Sequence, residues 1–270
     1  MINRNKPRSS QTRKRTPNHR IIAVLELLSG APNTPASEIS RKLQIPLPTV
    51  YRFIQILLDT RLLISSPNGD LEPGPRLQRM FWDTLHCEPM VLQRMAVLAK
   101  LSTDIRETCN LSIPRGLGLI YFCRHEFDWP VQTRLKEGDQ LPLWCSASGK
   151  LYLSSLSNNQ CRRILPELPL TKVAPNTITE VDDLLGNLCE IRELGFSIDN
   201  EEWFDGMTGA AVPIRDPNGL FRASLSMHAL AVRKPYNELI RCIPIMKRAA
   251  RELERLFFQG FQSDVSEELS

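Results

Sequence analysis

The chain has only four histidines and four tyrosines among its 270 residues, and no Cys-x-x-Cys pair. Its seven cysteines, at positions 87, 109, 123, 145, 161, 189 and 242, stand apart with no histidine at ligand spacing. That scatter excludes the common zinc modules, and neither a metal nor another cofactor is expected. An odd cysteine count would strand one thiol in any disulfide framework, so reduced thiols are predicted. No apolar run approaches the length of a membrane span, and the opening MINRNKPRSS lacks the apolar core of a secretory signal. A cytoplasmic protein without membrane association is the expectation.

What is present is ordinary globular composition, 42% hydrophobic and 24% charged, which argues against wholesale disorder. The length suits two domains. Charge is unevenly placed. Residues 1–80 hold 13 Lys+Arg against 5 Asp+Glu, whereas residues 81–270 hold 21 against 25. A basic head on an acidic body points to a polyanion-binding module joined to something else.

The organising stretch runs from Thr34 to Gly74. Thr34 before Pro35 predicts a helix start, with Ile39 and Leu43 on one face. Gln44-Ile45-Pro46 breaks it, and a second helix starts near Pro48. In that helix Val50, Phe53, Ile54, Leu57 and Leu58 form an inward apolar stripe. Asn68-Gly69, between apolar residues 62–64 and the segment after Asp70, predicts a β-hairpin. Ile21, Val24, Leu25 and Leu28 supply a preceding helix, ended by Gly30, Pro32 and Asn33. The sum is a winged helix-turn-helix.

In such a motif the second helix reads base edges while phosphate contacts position it. Arg52 can pair with guanine, Thr49 and Gln55 can bond bases or phosphate, and Tyr51 suits a phosphate or apolar contact. Arg41 and Lys42 are weaker backbone candidates. Residues 1–18 form a basic arm, either a solvated tail or a phosphate-following segment.

The run Leu43-Gln44-Ile45-Pro46-Leu47-Pro48-Thr49-Val50-Tyr51-Arg52-Phe53 resembles the IclR family of transcriptional regulators, whose recognition helix opens Pro-x-Ser-Thr-Val/Ala-His/Tyr-Arg-Leu. Pro48 stands where that pattern has serine. The exit Gly74-Pro75-Arg76-Leu77 resembles the same family.

The body reads as mixed α+β. Apolar runs 109–113 and 117–123, joined by Pro114-Arg115-Gly116, predict a hairpin. Ser146-Ala147-Ser148-Gly149 opens a helix whose first N–H groups suit an anion. This turn resembles the family segment Leu-Pro-Leu-His-Ala-Thr-Ala-Ser-Gly-Lys, with Trp144 and Cys145 replacing His and Ala. Val181, Leu184, Leu185, Leu188 and Ile191 pattern an amphipathic helix ended by Gly195. The segment around Asp199 and Glu202 resembles the family's effector-domain signature. A strand is predicted over 220–227 and a terminal helix over 235–259, interrupted by Pro244.

The resemblance spans residues 20–258. It implies an α+β architecture: an N-terminal winged helix-turn-helix and a C-terminal GAF-like effector domain with a curved antiparallel sheet flanked by helices. The expected divisions are a basic arm (1–18), the DNA-binding head (19–77), a linker helix (78–90), an effector-binding and oligomerisation domain (91–260) and a tail (261–270). The resemblance further implies a small organic acid or aromatic effector, and a pocket that includes Ser146, Ala147, Asp199, Ser224 and Ser226.

The expected function is therefore a DNA-binding transcriptional regulator, acting on a double-stranded operator as a homodimer or homotetramer and responding to a small-molecule effector. The alternative is a thiol enzyme using Cys145, which precedes a helix where a thiolate would be stabilised. That reading lacks a base within reach of the thiol.

Overall fold

In the computed structural model, which describes residues 16–30, 34–66, 69–85, 87–115, 118–130 and 135–258, the chain divides into two compact units, residues 1–90 and 91–270. In the first, three amphipathic helices close around one core. Helix α1 (Pro17–Gly30) contributes Val24 and Leu28, α2 (Ala36–Leu43) contributes Ile39, and α3 (Leu47–Asp59) contributes Val50, Phe53, Ile54 and Leu57. Leu58 is only partly buried at the edge of the predicted stripe.

Helix α2 begins one residue beyond the predicted start. Pro35 has an extended backbone and is itself the N-cap; its carbonyl accepts the Glu38 and Ile39 N–H groups at 2.9 and 3.0 Å. Gln44, left-handed at φ 52°, turns the chain towards α3. Strands β1 (Leu63–Ser65) and β2 (Leu71–Pro73) then pair antiparallel as the wing. Ser66 closes the turn: its N–H donates to the Asp70 carbonyl at 2.8 Å, and its hydroxyl accepts the Asp70 N–H at 3.1 Å. Helix α4 (Pro75–Leu85) follows.

Helix α5 (Glu88–Ile105), which begins just before the division, leads into a curled antiparallel sheet in the second unit. Its strands are β3 (Thr108–Arg115), β4 (Gly118–His125), β5 (Gln140–Leu141), β6 (Ser197–Asn200), β7 (Met207–Arg215) and β8 (Phe221–Leu230), in the spatial order β5-β4-β3-β8-β7-β6. Helices α6 (Ala147–Ser155), α7 (Asn158–Ile164) and α8 (Val181–Leu194) fall between β5 and β6, and α9 (Tyr236–Phe258) ends the described chain.

Strand alternation separates two faces. Helix α6 covers the face carrying Ser224, because its Ser148 hydroxyl meets that of Ser224 at 2.9 Å. Cys242 of α9 lies beside Cys109, one residue from Asn110 on β3 and so on the opposite face, which places α9 on the second side. Helix α8 packs on α6 through Leu184, Leu188 and Ile191, and Gly195 caps it at φ 67°.

Three local expectations need correction. Val181 and Leu185 of the predicted α8 stripe are exposed, since only one side of that helix meets α6. Pro244 does not interrupt α9; the helix runs through it, with Leu239, Cys242, Ile243, Met246, Ala250 and Leu253 anchoring both sides of the proline to the core. The last strand extends to Leu230 rather than Met227.

The arm over residues 1–15, Pro32 and Asn33, Asn68, Gly116 and Leu117, and the 261–270 tail lie outside the described residues. Among the described residues, no helix is long and apolar enough to cross a membrane.

Candidate functional site

On the head, the polar residues of α3 lie opposite its buried stripe. Tyr51 is 59% exposed; Arg52 and Gln55 are exposed and Thr49 half-buried. The Arg52 guanidinium sits 5.7 Å from the Phe53 ring centroid, which bears on its stem without removing the charge from solvent. Gln55 donates to Asp59 at 2.8 Å. Arg41 and Lys42 are exposed at the end of α2, and Lys42 pairs with Glu38 at 2.9 Å. That pair is a solvated i,i+4 contact that exchanges readily for another anion.

The body holds its polar groups inside. Cross-strand register places Ser197 opposite Ala211, Ala211 opposite Ser226, Ser226 opposite Asn110, and Asn110 opposite Arg124. A neighbouring row runs Pro213, Ser224, Ser112, Tyr121, and another runs Asp199, Gly209, His228, Thr108. Residues paired in this way share a face, so five strands project a polar surface towards α6.

Several of its groups have no partner. Asn110 Nδ2 and the hydroxyls of Ser112, Ser197 and Ser226 are buried without a hydrogen bond. Arg124 donates to Asn110 Oδ1 at 3.1 Å, which fixes the amide orientation and leaves Nδ2 as the unpaired donor. Buried polar groups left this way are costly, and these four lie on one face of the sheet.

Of the residues expected around a pocket, all five are buried here. Ser146 is not a free anion donor: it caps α6, accepting the Gly149 N–H at 3.0 Å and donating to the Pro142 carbonyl at 2.6 Å. Gly149 serves close packing, because a Cβ there would fall 2.4 Å from the Pro142 carbonyl oxygen. Ala147 lies in the first turn of α6. Ser224 is bonded to Ser148, while Ser226 keeps its hydroxyl unpaired.

Asp199 is 3% exposed, and its Oδ1 accepts the N–H groups of Glu202 and Trp203 at 2.8 and 3.3 Å. Burial, with the Glu202 carboxylate adding to it, raises its pKa to about 7 despite those bonds and the nearby Lys150. Lys150, 1% exposed on α6, reaches both Glu202 oxygens at 2.5 Å. Tyr121 and His228 meet at 2.8 Å, Oη to Nε2, across β3. Burial lowers the His228 pKa to about 4 and keeps that ring neutral near pH 7. Trp203 packs on His228 edge to face at 5.9 Å. Gly209 leaves room for this ring, since a Cβ would lie 3.2 Å from its Nδ1.

Sequence reasoning missed Lys150, Tyr121, His228, Asn110, Ser112 and Ser197. A signal existed in the polar residues at every second position, 108-110-112 and 224-226-228, inside otherwise apolar strands. The alternative reading of Cys145 as a nucleophile gains nothing from its surroundings. The thiol is fully buried, and desolvation, with the Asp199 and Glu202 carboxylates nearby, pushes its pKa up to about 12.

Two family descriptions match this arrangement. The IclR helix-turn-helix domain matches residues 19–65, and the C-terminal domain of the bacterial transcriptional regulator IclR matches residues 84–255. The chain belongs to the IclR family. It is 31% identical over 241 residues to the probable transcriptional regulator SauR of Cupriavidus necator, covering 88% of this chain and 95% of that one. To the regulator KdgR of Escherichia coli K12 it is 24% identical, covering 87% and 89%.

The IclR fold is equally evident in solved structures. The Thermotoga maritima IclR matches with a TM-score of 0.59 at 24% identity, over 87% of this chain and 96% of that one. An IclR homologue from Microbacterium hydrocarbonoxydans, complexed with 4-hydroxybenzoate, matches with a TM-score of 0.56 at 23% identity, over 89% and 98%. As an IclR-family member the chain is a transcriptional regulator that joins a DNA-binding head to an effector-binding domain.

Proposed function

We propose that this regulator binds a specific operator through α3 and responds to a small organic acid held between α6 and the polar face of its sheet. The carrying observation is the set of buried, unpaired donors on Asn110, Ser112, Ser197 and Ser226. Carboxylate oxygens accept several hydrogen bonds at once, which suits the donors of the adjacent strands β3 and β8, with Ser197 of β6 further along the same face. The 4-hydroxybenzoate in the Microbacterium homologue is such an acid. Asp199 and Ser226 belong to this site, and Ser146, Ala147 and Ser224 form its supporting edge.

On DNA, Arg52, Thr49, Tyr51 and Gln55 meet the major groove, with Arg41 and Lys42 at the backbone. The protein acts as a homodimer or homotetramer, so that paired heads read an inverted repeat with half-sites about one helical turn, ~34 Å, or a multiple apart. It works as a regulator in the cytoplasm and not as a thiol enzyme.

Thermal-shift screening of the full chain against aliphatic and aromatic monocarboxylates, followed by footprinting with and without each stabilising acid, tests this reading. A stabilising acid should change operator occupancy, and Asn110→Ala and Ser226→Ala should each weaken the response. An unaltered response in both variants removes the site from the account.

A further inference from the structure

Cross-strand register sets three polar residues side by side on the inner face of the sheet. Arg124 of β4 stands opposite Asn110 of β3, and Asn110 stands opposite Ser226 of β8. The Arg124 side chain is only 6% exposed, which is rare for a guanidinium, and its Nη1 donates to Asn110 Oδ1 at 3.1 Å. Asn110 Nδ2 sits on the same amide carbon as that oxygen. An unpaired donor therefore lies directly beside a buried cation, with the unpaired Ser226 hydroxyl on the next strand.

The other basic groups of this face are committed elsewhere. Lys150 places its ammonium on both Glu202 oxygens. His228 is kept neutral by burial, and the Arg124 charge adds to that effect. The same charge opposes the upward shift of the Tyr121 hydroxyl, so its field reaches the Tyr121–His228 pair on the adjoining rows. Arg124 does hold one carboxylate: its Nε donates to Glu126 Oε1 at 2.9 Å. The Glu126 side chain is 56% exposed, and a contact with so wet a partner is weak and exchangeable.

Resting on the acid-binding reading above, we propose that Arg124 is the cation that anchors the effector's carboxylate, and that Glu126 is the resident carboxylate which the effector displaces. The exchange breaks no covalent bond and moves no proton. The incoming acid takes the guanidinium, whose planar fork suits a carboxylate, and also takes hydrogen bonds from Asn110 Nδ2 and Ser226 Oγ. Glu126 leaves those two donors unmet and returns to water, which is the advantage of the effector over it. Specificity follows from the same arrangement. A neutral amide of equal shape offers the buried cation no negative charge, and its NH₂ group would face donors rather than acceptors.

The test is isothermal titration of the full chain at pH 7.5 with two matched pairs, benzoate against benzamide and propionate against propionamide. The wild type should bind the acid of a pair about 10- to 100-fold more tightly than its amide. Arg124→Met should bring that ratio close to one, a loss of charge discrimination that a purely structural role would not produce. Glu126→Gln removes the competitor and should tighten the acid about two- to fivefold while leaving the amide unchanged. Its side chain is exposed, so this second variant decides the matter even where Arg124→Met folds poorly. Arg124→Met that still prefers the acid overturns the inference and leaves the acid site standing. Glu126→Gln that leaves the acid Kd unaltered, or shifts acid and amide alike, also overturns it. If the wild type binds no acid, or acid and amide equally, the acid-binding reading fails and the inference falls with it.

Discussion

Lys150 and Glu202, 52 residues apart in sequence, meet with the ammonium 2.5 Å from both carboxylate oxygens and the lysine side chain only 1% exposed. The pair ties the first turn of α6 to the loop after β6. Thr177 tightens the same loop by donating to the Glu202 carbonyl at 2.6 Å. Asp199, Glu202 and Trp203 are thereby held in one arrangement beside the polar face of the sheet.

Breaking that pair from one side should be costly. Lys150→Met leaves a buried carboxylate uncompensated, and a loss of about 3–5 kcal/mol is expected in denaturant unfolding of the C-terminal unit. Lys150→Met combined with Glu202→Leu should recover much of it. A double variant no more stable than the single one would show that the pair does more than neutralise itself.

Stability should carry two opposed pH dependences. The folded Asp199 pKa lies above its unfolded value of 3.8, so its contribution is fully present below about pH 4 and is lost as pH rises towards 7. His228 is lowered from 6.5 to about 4, so its contribution is present above pH 6.5 and is lost as pH falls through 4. The two oppose each other between those limits. Asp199→Asn should expose the histidine slope, with stability rising by up to ~1.4 kcal/mol per pH unit from pH 4 to 6.5 relative to wild type. Equal pH profiles for wild type and variant in urea titrations would contradict the raised Asp199 value.

On the head, Arg52→Ala should cost about 1–3 kcal/mol of operator affinity and relax base preference at one position of each half-site. Loss of Lys or Arg from the first 20 residues should instead weaken all sequences alike and flatten the salt dependence. Binding assays across salt concentrations and operator variants separate the two. A footprint indifferent to Arg52→Ala would move the recognition surface off this face of α3.

Thiol labelling gives a simple check on the body. Cys87 and Cys189 are exposed and the other five cysteines are buried. In the native protein two thiols should react quickly and Cys145 should not, becoming reactive only on unfolding. Fast labelling at Cys145 would revive the thiol reading.

Close packing at the start of α6 is also testable. Gly149→Ala places a methyl against backbone that cannot rotate away, and a loss of about 1–3 kcal/mol is expected in thermal or urea unfolding. Ser148→Ala, which removes one hydroxyl bond to Ser224, should cost less.

The head was legible because its determinants are local. A stripe at helical spacing, a break at Gln44–Pro46 and a short two-stranded wing each depend on residues a few positions apart. The interior of the body was not. Ser224 and Ser226 enter the expected pocket only through the family resemblance, and Asn110 and Ser112 acquire meaning only once β3 is known to lie beside β8. Even within a correct helix the pattern overreached at Val181 and Leu185, because apolar spacing does not say how wide the covering neighbour is.

The sequence by itself determined the basic head, the exposed polar face of α3, the places where chain direction changes and the family resemblance, because each is written in neighbouring side chains. Only the tertiary structure decided that Lys150 meets Glu202, that Tyr121 meets His228, that Ser146 and Gly149 serve capping and packing, and that Cys145 stays a thiol. These depend on strand register and on desolvation. Both arise when distant segments exclude water from a shared space, and neither is a property of any one segment.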